Sequence, residues 1–117
     1  VMVGKGSDLG GGCSTMGTLS GGGTIIISVG EECLIGANAG LGIPLGDRCT
    51  IEAGLFVTPG TKVIVLDDAL KIVETVAARD LAGRSDLLFR RNSLSGSVEC
   101  LTSKTAIELN ESLHANN

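Results

Sequence analysis

Val29-Gly30-Glu31-Glu32-Cys33-Leu34-Ile35-Gly36-Ala37-Asn38-Ala39-Gly40 carries one pattern twice: an aliphatic residue, a glycine, two variable residues, a small residue and one more. The same six-residue beat runs earlier through Val3-Gly4-Lys5-Gly6-Ser7-Asp8 and Leu9-Gly10-Gly11-Gly12-Cys13-Ser14. It slips after Leu41-Gly42 and resumes at Leu45-Gly46-Asp47-Arg48-Cys49-Thr50, Ile51-Glu52-Ala53-Gly54-Leu55-Phe56 and Val57-Thr58-Pro59-Gly60-Thr61-Lys62. A hexapeptide period marks a parallel β-solenoid. Each hexapeptide makes one side of a triangular prism, three sides make a coil, and the aliphatic residue points inward onto its counterpart in the next coil. The glycine beside it is expected to supply backbone angles that other residues resist. The small fifth residue lets the chain turn the corner.

The predicted fold is therefore mainly β: a parallel β-helix over residues 1–63, with a loop extruded from the prism at 14–28, then a β-rich C-terminal extension over 64–117. Left-handed coiling is a general expectation for six-residue solenoids, an exception to the right-handed rule for parallel crossovers. The extruded loop (STMGTLSGGGTIIIS) contains a Gly-Gly-Gly run followed by β-rich Thr24 to Ile27. Loops on a rigid scaffold are where binding residues concentrate, so it is the first place to look for chemistry. Val63 to Ala78 reads either as a hairpin turning at Asp67-Asp68 or as a helix capped by Asp68. Its β-branched content favours the hairpin. Asp80 to Ser93 reads as irregular, Ser97 to Leu101 as a strand, and Asn110 to Asn117 as a short helix or frayed tail. Val3 falls in phase at once with no capping segment before it, although an uncapped solenoid exposes strand edges. A longer chain and an oligomer are expected.

Composition narrows the function. Among 117 residues only two are aromatic, both Phe, and the net charge is −4, so no basic, aromatic-lined surface offers itself to nucleic acid. Four cysteines have no CxxC spacing and only one histidine, His114, to join them in a metal site. Cys13, Cys33 and Cys49 fall at the fifth hexapeptide position and are expected to pack as small corner hydrophobes. Free thiols fit a reducing, cytoplasmic setting. No stretch has the length of a membrane span, and Val1 opens no signal peptide, so no membrane partner is expected. A zinc carbonic anhydrase of the same architecture needs several histidines. A purely structural solenoid would show outward ladders of one residue type, whereas Lys5, Asp8, Glu31, Asn38, Asp47 and Arg48 are mixed.

The run Gly4 to Gly23 (GKGSDLGGGCSTMGTLSGGG), with CLIGANAGLGIPLGD at Cys33 to Asp47, EAGLFVTPGTKV at Glu52 to Val63 and LLFRRNS at Leu87 to Ser93, carries a family resemblance. Together these motifs closely resemble the C-terminal part of the tetrahydrodipicolinate N-succinyltransferases, in their actinobacterial form. The resemblance implies a homotrimeric acyltransferase with sites between subunits, moving a succinyl group from succinyl-CoA to the amine of ring-opened 2-amino-6-oxopimelate in lysine and diaminopimelate synthesis. Succinyl-CoA would be a co-substrate, and no covalent cofactor is implied; a Mg2+ ion is left open.

Such chemistry needs a channel for the CoA arm, donors for the thioester oxyanion and a base for the amine's proton. Carried over by motif, the substrate and CoA candidates are Gly11, Ser14, Ala37, Glu52, Ala53 and Gly60, with Arg90, Arg91, Asn92 and Ser93 completing the set. The arginines suit CoA phosphates. Gly17, in the extruded loop, is the candidate backbone donor to the oxyanion, and reads equally well as a plain turn glycine. Glu52 reads also as a corner residue closing an inter-coil bond, and the arginine pair as a surface pair holding a loop. The resemblance places the family's catalytic glutamate upstream of Val1. Two other readings stay open: another CoA-dependent hexapeptide acyltransferase, and a non-catalytic trimerising segment.

Overall fold

In the computed structural model, which describes residues 1–17 and 25–102, the hexapeptide beat becomes a beat of two-residue strands. The first coil carries β1 (Met2–Val3), β2 (Asp8–Leu9) and β3 (Ser14–Thr15), and the second carries β4 (Ser28–Val29), β5 (Leu34–Ile35) and β6 (Gly40–Leu41). β7 (Thr50–Ile51) and β8 (Phe56–Val57) belong to the third. The strands stack in parallel, side by side of a prism: β1 on β4, β2 on β5 on β7, and β3 on β6 on β8. The chain is a parallel β-helix, and among the described residues its helical structure is one 3-10 turn, Ala78–Leu81.

Strand register shows how irregularity is absorbed. Asp8 pairs with Leu34, 26 residues on, which is eight more than three hexapeptides. Ser14–Thr15 and Ser28 are themselves strand residues, so the surplus leaves the prism between Met16 and Ile27. The Ile27 N–H donates to Gly17 O at 3.1 Å across the base of this excursion; its middle, 18–24, lies outside the described residues. Leu34 pairs with Thr50, only 16 residues on, two fewer than three hexapeptides. The slip around Pro44 is thus a two-residue shortening, bridged by Leu45 N–H to Ser28 O at 2.8 Å.

Inward aliphatics form the core, with Val29, Ile35, Leu41, Leu45, Ile51, Val57 and Val63 buried. The corners follow two rules. Every fourth-position residue from the first two repeats through Ile51-Phe56 (Gly6, Gly12, Glu32, Asn38, Arg48 and Gly54) has a positive φ, between 55° and 76°. Ser7, Cys33 and Cys49, at the fifth position, donate to the carbonyl of the layer above: Ser7 Oγ to Gly30 O at 2.6 Å, Cys33 Sγ to Gly46 O at 3.2 Å, and Cys49 Sγ to Arg84 O at 3.3 Å. The cysteines are corner residues as expected, and they also satisfy backbone that would otherwise lose water.

The second-position glycines have a different cause from the one expected. Gly4, Gly10, Gly30, Gly36 and Gly46 are absent from the positive-φ residues. Instead a Cβ on any of them would come within 3.0 Å of the backbone of the layer above. The constraint is close approach of neighbouring coils; the left-handed angles belong two residues further on.

Beyond the third coil, β9 (Lys62–Leu66) and β10 (Ile72–Ala77) form the antiparallel hairpin. Asp67 Oδ1 accepts the N–H groups of Ala69 and Lys71, each at 2.9 Å, and fixes its turn. β11 (Leu87–Arg91) and β12 (Val98–Thr102) pair antiparallel, while β11 lies parallel on β7 and β12 parallel on β9. The stretch 80–93, read above as irregular, therefore contains a strand and stands in for a further coil. Gly46 N–H donates to Arg84 O (2.9 Å), Asp47 N–H to Ser85 Oγ (2.8 Å) and Asp86 N–H to Asp47 O (2.8 Å). Asp86 repeats the positive φ, 63°, of the Arg48 it faces and binds its guanidinium at 2.7 and 3.2 Å. Phe89, fully buried opposite Ile51, plugs the core. The short helix or frayed tail expected at 110–117 falls outside the described residues.

Two expectations follow. Gly36→Ala should lose about 1–3 kcal/mol in denaturant melts, because its Cβ meets Ala53 and Glu52 backbone. Gly11→Ala, which meets nothing within 4 Å, should stay within about 0.5 kcal/mol. The second concerns pH. Burial pushes the Cys49 thiol up to about 11 and the Cys100 thiol up to about 12. Below pH 9 both states keep these protons; above it the unfolded chain releases them first, so their contribution to stability is lost as pH rises towards 11. Urea midpoints at pH 8 and pH 10.5 should show the fall, and Cys49→Ala should reduce it.

Candidate functional site

Gly11, Ala37 and Ala53 occupy the third position of hexapeptides in successive coils, so stacking places them along one corner of the prism. Asn38 N–H donates to Gly11 O at 2.9 Å and Gly54 N–H to Ala37 O at 2.8 Å, which ties the three levels together. All three residues are exposed. Glu52 continues the corner upward: its N–H donates to Phe89 O at 3.0 Å, and its Oε2 accepts the Arg91 N–H at 2.7 Å. Glu52 does close an inter-layer bond, and in doing so seats the end of β11, with Arg91, Asn92 and Ser93, at the top of the same corner.

The loop that follows β11 is built by Asn92. Its Oδ1 accepts Leu94 and Ser95 N–H groups at 2.9 and 3.1 Å, its N–H donates to Ser97 O, and its carbonyl accepts Gly96 N–H. Arg91 Nη1 donates to Gly96 O at 3.1 Å. Arg90 lies directly opposite Glu99 in the β11–β12 pairing, and its Nε donates to Glu99 Oε1 at 3.0 Å. Asn92 Nδ2 donates to the other carboxylate oxygen at 3.1 Å. Arg90, Arg91, Asn92, Ser93, Leu94 and Glu99 line a cavity of about 260 Å³. Glu99, 7% exposed, is a buried charge; a single acid in a strand carries no signal in the sequence until register sets it against an arginine.

Ser14 belongs to the neighbouring side, where it stacks on Gly40 and Phe56. Gly40 and Gly42 open a slot there of about 110 Å³, lined also by Thr15, Met16, Leu41 and Thr58. A Cβ on Gly40 would run into the Phe56 ring, and one on Gly42 would reach Met16 Sδ at 2.8 Å. Phe56 is 59% exposed, an uncommon placement for an aromatic in so lean a core. Gly17 and Gly60 lie past the far edge of this side, and nothing stands within 4 Å of where either Cβ would be. Thus Gly11, Ala37, Glu52, Ala53 and Arg90–Ser93 are gathered at one corner, Gly17 and Gly60 at the next, with Ser14 and the slot between. Among the described residues no group of three or more His, Cys, Asp or Glu side chains could hold a metal ion. No described helix is long and apolar enough to cross a membrane, and His114 lies outside the described residues.

Comparison with known proteins agrees with this architecture. Residues 26–59 match a family model described as the hexapeptide repeat of succinyl-transferase. All 117 residues align at 74% identity with the 2,3,4,5-tetrahydropyridine-2,6-dicarboxylate N-succinyltransferase of Pseudomonas putida, and at 67% with that of Vibrio cholerae. The chain spans about a third of the length of these curated relatives, 34% in each case. A crystal structure from Campylobacter jejuni, described as a 2,3,4,5-tetrahydropyridine-2-carboxylate N-succinyltransferase, superposes with a TM-score of 0.80 at 41% identity, covering 90% of this chain and 30% of that one. The similarity is thus not confined to the actinobacterial form.

Removing Arg90 leaves Glu99 buried without its charge partner. Arg90→Ala should therefore cost about 1–3 kcal/mol of stability, read as a lowered denaturation midpoint, whereas Arg91→Ala should stay within about 0.5 kcal/mol.

Proposed function

We propose that this chain, which by sequence belongs with the tetrahydrodipicolinate N-succinyltransferases, carries the acyl-donor side of such an enzyme. The reaction is transfer of the succinyl group of succinyl-CoA to the amine of 2-amino-6-oxopimelate, in lysine and diaminopimelate synthesis. The observation that carries this reading is identity of 74% sustained over every residue of the chain. The geometry supports it. A phosphate-bearing donor needs fixed cationic donors at one end and a narrow, small-residue path for its arm; Arg90 and Arg91 stand at one corner, and the Gly40–Gly42 slot lies on the adjoining side.

In the step itself the amine nitrogen bonds to the thioester carbonyl carbon, the carbon–sulfur bond breaks, and a base takes the amine's proton and returns it to the departing CoA thiolate, which leaves as the thiol. Gly17 N–H is the proposed donor to the oxyanion, since backbone donors aimed at developing charge are the usual device. The base is expected from the glutamate that the family resemblance places upstream of Val1. We further propose left-handed coiling, a β-helix over 1–63 with its extension over 64–117, a homotrimer whose sites lie between subunits, and a cytoplasmic location. The first test is thiol release from succinyl-CoA on addition of the amino-oxopimelate acceptor. Acceptor-dependent release is expected from protein that includes the glutamate supplying the base, and its absence in such well-folded protein would overturn the reading. Arg91→Ala should raise KM for succinyl-CoA roughly tenfold with kcat within twofold, the pattern of a lost binding contact outside the reacting centre.

A further inference from the structure

We infer that Glu99 is a positioning residue for a phosphate-binding loop at Arg90–Ser93; this rests on the succinyl-CoA reading. Among the described residues there are two arginine–carboxylate pairs, and they are built differently. Arg48 meets Asp86 through both Nε and Nη2, at 2.7 and 3.2 Å, a fork closed on its partner. Arg90 meets Glu99 through Nε alone, at 3.0 Å. Its terminal amino nitrogens make no hydrogen bond among the described residues, and the side chain is 37% exposed where it lines the cavity. An arginine gripped at Nε with its outer amino groups open is set to present two parallel N–H donors to a phosphate.

Glu99 does a second job with its other oxygen. By accepting Asn92 Nδ2 at 3.1 Å it orients the amide so that Asn92 Oδ1 faces the N–H groups of Leu94 and Ser95. One carboxylate, 7% exposed, therefore fixes both the guanidinium and the loop backbone beside it. Locally its charge is cancelled by Arg90, leaving Arg91 to set the sign inside the cavity. Glu52, the other acid nearby, is solvent-exposed and taken up by the Arg91 N–H.

Glu99→Gln tests this, because an amide cannot accept from Arg90 and Asn92 together without turning a donor towards one of them. Two readouts separate positioning from general damage. Calorimetric binding of adenosine 3′,5′-bisphosphate, which needs no turnover, should weaken about tenfold in the variant. With succinyl-CoA, kcat/KM should fall about tenfold through KM, whereas with succinyl-pantetheine, which lacks every phosphate, it should stay within twofold. Equal losses on both donors, unchanged bisphosphate affinity, or no bisphosphate binding by the unmodified protein would overturn the proposal. Bisphosphate binding without any turnover would leave this site standing and sink the transferase reading instead. If Glu99→Gln is too unstable to assay, Arg90→Lys carries the same comparison, since lysine keeps the charge pair but gives up the outward amino nitrogens.

Discussion

The close approach of one coil's backbone to the next is the constraint on which the rest of this structure depends. Parallel strands must lie about 4.8 Å apart to pair, and just past each inward aliphatic the chain bends over the layer above, leaving no space for a Cβ at Gly4, Gly10, Gly30, Gly36 or Gly46. Holding that spacing brings inward residues such as Leu9, Ile35 and Ile51 into one column. It also forces every length change out of the paired strands. The eight surplus residues leave between Met16 and Ile27, and the two-residue shortening is absorbed around Pro44, while the paired positions stay in step.

The repeat also changes where the layer above changes. Glu52 sits where Gly36 and Gly10 sit below it, under β11 instead of a further hexapeptide. Its carboxylate takes the Arg91 N–H. Glu52, like Thr58 above Gly42, departs from the second-position glycine in the last hexapeptides, and it becomes the seat of the candidate site. The stretch 84–86 completes the closure through Arg84 O, Ser85 Oγ and the Asp86 carboxylate, each meeting a group that a further coil would otherwise meet.

The solenoid was legible because its signal repeats: aliphatic, glycine and small residue recur at fixed offsets from Val3 to Thr61. The hairpin at 62–77 was legible from β-branched content. The stand-in coil at 83–91 was not, since Gly83 falls where an inward aliphatic is expected and Arg84 where the glycine is, so the pattern is absent although the geometry is kept. The role of the second-position glycines was misjudged for a related reason. Sequence shows that a side chain is missing but not whether a torsion or a neighbour forbids it, and only the stacked coils show that the neighbour does. Of the candidate site, the corner residues came from the motifs, whereas Glu99, Gly40 and Phe56 become meaningful only through cross-strand register.

On the proposed function, that register would also shape the path of a bound donor. The arginine corner and the Gly17–Gly60 corner are separated by one side of the prism. From Ala53 to Pro59 an extended chain spans at most about 20 Å. A donor whose phosphates meet Arg90 and Arg91 and whose thioester meets Gly17 has to cross this side, over Ser14, Gly40 and Phe56. The absence of side chains at Gly40 and Gly42 then has a use beyond packing, because it recesses the middle of that crossing between Met16 and Phe56. On the proposed function, the rigid repeat fixes the length of the crossing, and the irregular ends of the sequence, the extruded segment and the β11–β12 loop, supply the groups at either end of it.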